Sequence, residues 1–206
     1  PALDSLENYF AKLETAKLID VQTGSIDSLR KELANAEVLL GEGAFVEAAV
    51  ALYSIVASPR FSALSDFVEF QNAEYDLGVA LFRTGAYGAS VDAFTRVLKR
   101  GSAATYWGPS HRRVVDIAIE TRDHDRYLAI LAKADKKDDA LPPSAAGERA
   151  YLRARSLYER QDFAGADTEL TSISRKSRLY SSALYLRGVI AARNGHKAVY
   201  PAIELG

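Results

Sequence analysis

Apolar residues recur at helical spacing along most of the chain, as pairs of stripes separated by short breaks. In the segment from Gln71 to Lys99, one stripe runs up to Gly85 and a second begins at Tyr87. Each stripe has the three-to-four-residue period that places side chains on one face of an α-helix. The segment therefore predicts two amphipathic helices joined by a tight turn.

The same pair of stripes recurs in other parts of the chain. Gly43 and Phe45 repeat the pattern 42 residues before Gly85 and Tyr87. A further copy of the pattern lies 76 residues after the segment from Gln71 to Lys99. Such recurrence is typical of stacked helical hairpins, so we expect an all-α fold with the whole chain, 1–206, as one domain. Methionine is absent, also at position 1, so we expect the chain to be a piece of a longer protein. The predicted elements are a helix in 1–24, hairpins at 25–57, 63–100, 144–175 and 178–206, of which the last is incomplete, and a degenerate hairpin at 110–134.

Small residues occupy aligned places in these hairpins. Gly78 lies inside a predicted helix, where glycine costs about 1 kcal/mol relative to alanine. We therefore expect another helix to approach it too closely for a Cβ atom. The aligned positions are Ala36, Gly78, Ala154 and Gly188 in the first helices, and Ala48, Ser90 and Ala166 in the second helices.

In the central hairpin the apolar, glycine and aromatic positions follow a fixed order: Leu77, Gly78, Leu81, Gly85, Tyr87, Ser90, Phe94 and Val97. This order and spacing resemble the tetratricopeptide repeat (TPR), with Ser90 where that family usually has alanine. The resemblance implies a right-handed solenoid of antiparallel helix pairs, whose first helices line a concave groove. It also implies a non-catalytic scaffold that binds a partner peptide, helix or protein surface in that groove.

The groove positions carried over from the resemblance are rich in tyrosine and arginine, which are common in interface hot spots. Tyr75, Tyr151 and Tyr185 are aligned, and two interpretations stay open for them: a ladder of rings that contacts a partner, or packing between adjacent first helices. The groove positions are Leu33, Glu37 and Leu40 in the first hairpin; Tyr75, Asp76, Val79, Phe82 and Arg83 in the second; Tyr151, Leu152, Arg155, Tyr158 and Glu159 in the third; and Tyr185, Val189 and Arg193 in the fourth.

Repeat proteins of this family that hold the acidic tails of chaperones use lysine and asparagine in the groove. In this chain those positions are occupied by Tyr75, Val79, Tyr151, Arg155, Tyr185 and Val189. We therefore expect an apolar or mixed protein surface, or a helix, as the partner, and not a terminal carboxylate.

Two stretches, ALYSIVASPRFS and SSALYLRGVIAARNG, are similar to segments of large TPR proteins of the bacterial cell envelope, including components of myxobacterial gliding motility. This weaker resemblance implies a periplasmic scaffold that joins other envelope components. The residues themselves leave a cytoplasmic location open. An alternative function is a structural spacer or self-association module, because no polar cap covers the last apolar face of the predicted repeats.

Charge and composition exclude several classes of function. The 206 residues carry 26 Lys plus Arg against 27 Asp plus Glu, which gives a net charge of -1. Such a balance provides no field that would gather nucleic acid or an anionic membrane. Cysteine is absent, so disulfides and thiolate metal sites are excluded. No apolar run approaches the roughly 18 residues of a membrane span, and we expect no membrane insertion in this segment.

The candidates for chemistry are few. His111, His124 and His196 are scattered, without the spacing of metal ligands. Asp123, His124 and Asp125 form one cluster at a helix start, where such residues are typically caps or exposed polar groups. The alternative is an acid–base or metal site of a hydrolase built on a helical frame. We expect no catalytic residue, metal or cofactor, and we predict that the protein is not an enzyme.

Overall fold

The computed structural model describes residues 24–135 and 140–193, which form an all-α fold without a strand in either range. The helix predicted in 1–24 and the second half of the last hairpin lie outside these ranges. The described helices are α1 (Ile26–Gly41), α2 (Phe45–Val56), a 3-10 helix (Pro59–Leu64), α3 (Val68–Arg83), α4 (Tyr87–Leu98), α5 (Trp107–Thr121), α6 (His124–Ala134), α7 (Pro143–Glu159), α8 (Phe163–Thr171) and α9 (Tyr180–Arg193).

The chain divides into two compact units. Among the described residues, unit 1 comprises 24–110 and 134–135, and unit 2 comprises 111–133 and 140–193. Whether the whole chain acts as the single domain expected from the repeats stays a prediction. Within the described residues, no helix combines the length and apolar character needed to cross a bilayer.

Unit 1 is built from two hairpins whose helices pack in sequence. Contacts join α1 to α2, α2 to α3 and α3 to α4, and α1 also contacts α3, so the first helices of the two hairpins are neighbours. Ser25 caps α1 as its side chain accepts a hydrogen bond from the backbone N–H of Ser28. The buried core includes Leu29, Leu33, Leu52, Ile55, Phe61, Leu77 and Leu81.

Gly78 allows the closest approach in this hairpin. A Cβ atom at Gly78 would lie 2.5 Å from Cε1 of Phe94 in α4. The hydroxyl of Ser90, also in α4, donates a hydrogen bond of 2.7 Å to the carbonyl of Gly78. The expected packing reason for this glycine is therefore present, and the neighbour is the partner helix of its own hairpin.

The other aligned small residues are buried with one exception. Ala36, Ala48, Ser90, Ala154 and Ala166 all have 0% exposure. Gly188 is half-buried, and a Cβ atom there would meet nothing within 4 Å. Among the described residues, Gly188 therefore does not share the close contact expected from its alignment with Gly78.

The helix pairs share one turn conformation. Gly43 and Gly85 have positive φ angles of 79° and 81°, and Arg122 and Gln161 adopt the same left-handed region at 58° and 65°. Such a residue ends a helix because its N–H can bond a carbonyl of the last turn, as Gly85 does with Phe82. The degenerate hairpin at 110–134 thus keeps the turn conformation although it lacks the glycine.

Unit 2 contains a buried polar network between α5, α7 and the turn before α9. His111 Nδ1 lies 2.9 Å from Glu148 Oε2, and Arg178 donates to the other carboxylate oxygen of Glu148. Arg178 also pairs with Asp116 at 2.8 Å. Burial alone would raise the pKa of Glu148, but the hydrogen bonds from His111 and Arg178 outweigh it and lower the pKa.

One predicted boundary is wrong. The degenerate hairpin is predicted to begin at residue 110, but α5 already begins at Trp107. Pro109 is compatible with this earlier start because the first turn of a helix does not use its N–H groups for internal bonds. Ser110 is therefore a buried residue of the first turn and not a cap.

The shared turn conformation predicts opposite effects of two substitutions. Gly85→Ala should destabilise unit 1 by about 1 kcal/mol, because an exposed alanine there has room for its Cβ but an unfavourable φ. Gln161→Gly should stabilise unit 2 by about 0.5–1 kcal/mol, because it relieves that strain. Urea unfolding of each variant measures both effects. Gln161→Ala is the control and should be near neutral; equal destabilisation by Gln161→Gly and Gly85→Ala would contradict the account.

The contact between Gly78 and Phe94 predicts that Gly78→Ala destabilises the protein by about 1–3 kcal/mol, because the added methyl group overlaps the ring. Gly88→Ala is a matched control in α4, where a Cβ atom meets nothing within 4 Å. It should stabilise the protein by up to about 1 kcal/mol through helix propensity. Thermal and urea unfolding compare the two; a stabilising Gly78→Ala would refute the close contact.

Candidate functional site

The neighbouring helices α1 and α3 of unit 1 present a polar and aromatic surface that includes part of the predicted groove. Two side-chain contacts connect the helices: Arg30 Nη2 to Glu69 Oε1 at 2.7 Å, and Asn72 Nδ2 to Glu37 Oε1 at 2.7 Å. Both contacts join residues of one helix to residues of the other. They align α1 and α3 and place Glu37 beside the part of α3 that carries Asp76.

Tyr75 lies between two aromatic rings. Its ring centroid is 5.7 Å from that of Phe94, at a tilt of 50°, and 5.2 Å from that of Tyr106, in a stacked arrangement at 21°. Tyr106 belongs to the turn that precedes α5. Phe94 therefore supports Tyr75 from the core, and Tyr106 extends the aromatic surface.

Asp76 is a half-buried carboxyl group with another acid nearby. Burial and, to a smaller extent, the negative charge of Glu37 together raise its pKa to about 7. In the described parts of the chain, the Asp76 side chain has no hydrogen bond or ion pair. The pKa of Tyr106 is also raised, first by burial and then by Asp76, Glu37 and Tyr75. These four side chains therefore share one electrostatic environment.

We define the α1–α3 face as Glu37, Asn72, Tyr75, Asp76 and Tyr106. Sequence comparison of the hairpins identifies Glu37, Tyr75 and Asp76, but it misses Asn72 and Tyr106. Tyr106 lies outside every repeat, in a loop whose course depends on tertiary packing. The signal available for it is the adjacent aromatic pair Tyr106–Trp107 at the start of α5, because large aromatic side chains are usually buried at least in part.

The remaining groove residues of this hairpin are used in local packing. Val79 and Phe82 are half-buried, and Phe82 packs on Tyr87 with ring centroids 5.6 Å apart. Arg83 is exposed, and its guanidinium lies 4.2 Å from the ring centroid of Phe45 in α2. These three residues lie one to two turns beyond Tyr75 and extend the face along α3.

The aligned tyrosines do not share one environment. Tyr75 is half-buried, Tyr151 is buried at 5% exposure and Tyr185 is 76% exposed. The expectation that Tyr151 offers its ring to a partner is therefore corrected, because its ring belongs to the core of unit 2. The packing interpretation fits Tyr151, whereas Tyr75 and Tyr185 retain surface that a partner could reach.

In unit 2 the structure brings two other predicted groove residues together. The guanidinium of Arg193 lies 5.2 Å from the ring centroid of Tyr158 and 5.9 Å from that of Phe163. Arg155 and Val189 are half-buried. Arg193 is thus in contact with aromatic rings of its own unit, through a cation–π arrangement that stabilises the packing of α9 on the α7–α8 hairpin.

The cluster at the start of α6 has structural contacts. Asp125 accepts a hydrogen bond of 2.7 Å from Ser156 and pairs with Arg160. His124 is buried, with Nδ1 at 3.4 Å from Glu159, and burial lowers its pKa. Asp123 faces Arg126. Within residues 24–135 and 140–193, no three His, Cys, Asp or Glu side chains come together as metal ligands would.

A cavity of about 490 Å³ lies at the N-terminal end of α3, beside Val68, Gln71 and Ala104. Two charged residues, Asp66 and Arg100, line it, and Arg100 donates hydrogen bonds of 2.7 and 3.0 Å to the buried carboxylate of Glu74. This arginine is therefore committed to the interior. The α1–α3 face, where two carboxylates have no ion pair with any residue in 24–135 or 140–193, is the stronger candidate for binding.

Comparison with protein-family models, with curated proteins and with solved structures finds no match to the chain.

The raised pKa of Asp76 predicts a specific pH dependence of stability. The folded state binds this proton more tightly than the unfolded state, in which the aspartate pKa is about 3.9. Its contribution to stability is therefore complete at low pH and is lost as the pH rises from about 4 through about 7. Asp76→Asn should become progressively more stable than the wild type over that interval and level off above it.

Urea unfolding of the wild type and Asp76→Asn at a series of pH values measures this difference, and a ¹³C NMR titration of the Asp76 carboxyl group measures the pKa directly. The expected midpoint is about 7. A midpoint near 4, together with a stability difference that does not change with pH, would contradict the assigned environment.

Proposed function

We propose that the chain is a non-catalytic scaffold that resembles TPR proteins and binds a segment of a partner protein on the α1–α3 face. The observation that carries this proposal is the combination of a stacked tyrosine pair with two carboxylates that have no cation within the described residues. Tyrosine is enriched at protein–protein interfaces, and the two carboxylates give this surface a negative charge that a cationic side chain of a partner would complement.

The hairpins support the same proposal. Their first helices α1 and α3 are neighbours, as the lining helices of a TPR groove are, and the small residues and turn conformations recur. The right-handed solenoid, its concave groove and the location in the bacterial envelope are parts of this proposal. These three features are taken from the resemblance of the sequence and its repeats to TPR proteins, applied to the whole chain.

A second candidate is the self-association module. Tyr185 favours it, because this large ring is 76% exposed on α9. A partner for such a ring could be another copy of the chain. The two candidates differ in which residues a bound protein contacts, and a single cross-linking experiment distinguishes them.

The test introduces a photo-reactive amino acid at Glu37 on the α1–α3 face, and at Glu47 in α2 as a matched control. Both are exposed glutamates of unit 1. After irradiation in an extract of the source organism, Glu37 should give a discrete adduct with a second protein, and Glu47 should give none. Equal adducts at both positions, or none at Glu37, would overturn the proposal.

A third photo-reactive position at Tyr185 tests the alternative. An adduct with twice the mass of the chain, obtained with purified protein at Tyr185 but not at Glu37, would support self-association. Mass spectrometry identifies both the protein and the cross-linked residue in each adduct. The partner is thereby defined by its contact with the α1–α3 face and not by co-purification.

A further inference from the structure

The carboxylates of unit 1 differ in whether an arginine neutralises them. Glu69 pairs with Arg30 at 2.7 Å, Glu74 pairs with Arg100 at 2.7 Å, and Glu32 pairs with Arg60. Glu37 and Asp76, by contrast, have no cationic partner within the described residues. The hydrogen bond that Glu37 accepts comes from the neutral amide of Asn72.

The aromatic groups of unit 1 show a parallel difference. The guanidinium of Arg60 lies 4.4 Å from the ring centroid of Phe61, and that of Arg83 lies 4.2 Å from the ring centroid of Phe45. The stacked rings of Tyr75 and Tyr106 have no arginine or lysine above them in the described part of this unit. Within the described residues, the surface that lacks a cation for its carboxylates therefore also lacks one for its rings.

A single cationic side chain would supply what both the carboxylates and the rings of this face lack within the described residues. A guanidinium is planar and always charged, stacks on aromatic faces and donates to carboxylates, while a lysine supplies the charge and an apolar stem. An acidic or phosphorylated segment would be repelled by Glu37 and Asp76, as would a nucleic-acid backbone. A bare metal ion would gain nothing from the two tyrosine rings.

We infer that the partner segment places an arginine or lysine side chain on the α1–α3 face, between the stacked rings of Tyr75 and Tyr106 and the carboxylates of Glu37 and Asp76. This inference depends on the proposed function and specifies the chemistry of the partner. Arginine is preferred to lysine, because the flat guanidinium can contact a ring and a carboxylate at the same time.

Binding of a cation is linked to the proton on Asp76. The titratable groups that interact with Asp76 are Glu37 from α1 and Tyr106 from the turn before α5. Deprotonation of Asp76 adds a negative charge where the cation binds, so affinity should rise with pH through about 7. The bound cation in turn lowers the pKa of Asp76.

The direct test is NMR titration of the whole protein with N-acetyl-arginine amide, with the neutral isostere N-acetyl-citrulline amide as the matched ligand. The arginine compound should give saturable shifts at Asp76 and Tyr106, with a dissociation constant in the millimolar range. Its affinity should be at least several-fold higher at pH 8 than at pH 6. The citrulline compound should bind at least tenfold more weakly at pH 8.

Variants connect the binding to the named residues. Asp76→Asn and Glu37→Gln should each weaken arginine binding several-fold, and Tyr106→Ala should reduce the preference for arginine over lysine. Glu47→Gln removes one exposed carboxylate of the same unit and should change nothing. Amide spectra of each variant confirm that the fold is kept.

Equal loss of arginine binding in Glu47→Gln, or equal binding of the citrulline compound, would overturn the inference. Stronger binding of calcium than of arginine at the same residues would overturn it as well.

The cross-linking and titration experiments fail in distinguishable ways. If Glu37 cross-links to a partner but arginine does not bind, the scaffold function stands and the inferred chemistry of the partner is wrong. If arginine binds to Asp76 and Glu37 but no partner cross-links there, the cation subsite stands and the proposed scaffold function is wrong.

Discussion

The structure of unit 1 depends on the close contact between Gly78 in α3 and the ring of Phe94 in α4. A helix pair can approach this closely only where a Cβ atom is absent, and the hydrogen bond from Ser90 to the carbonyl of Gly78 fixes the same two helices at the same level. Phe94 is fully buried, so its ring has few alternative positions. The packing of this one ring determines where the exposed side of α3 lies.

The contact also connects the core to the proposed binding surface. The ring that lies over Gly78 is the ring against which Tyr75 packs, and Tyr75 in turn stacks on Tyr106. Tyr75 and Gly78 are three residues apart and so lie on adjacent parts of one helix face. A substitution that displaces Phe94 therefore displaces Tyr75 as well. Stability and the geometry of the α1–α3 face are coupled through this one side chain.

The sequence predicts the features that depend on local periodicity. It does not predict the burial or position of a side chain that is set by tertiary contacts. Hydrophobic stripes locate the helices, and Gly78 indicates a close approach, because both signals are properties of a single helix. The burial of Tyr151 and the position of Tyr106 depend on neighbours that are distant in the chain. The left-handed conformation of Arg122 and Gln161 also escapes prediction, since packing of the flanking helices compels residues other than glycine to adopt it.

The half-buried carboxyl group of Asp76 contrasts with the paired carboxylates of unit 2. In unit 2, Glu148 pairs with Arg178, Glu169 with Arg153, and Asp167 with Arg187. Folding alone would favour a similar cation beside Asp76, because a half-buried carboxylate next to another acid opposes the folded state at neutral pH. The part of the chain that the structure describes nevertheless provides no such cation for Asp76 or Glu37. A local electrostatic cost that the fold does not relieve is typical of a site whose missing partner comes from another molecule.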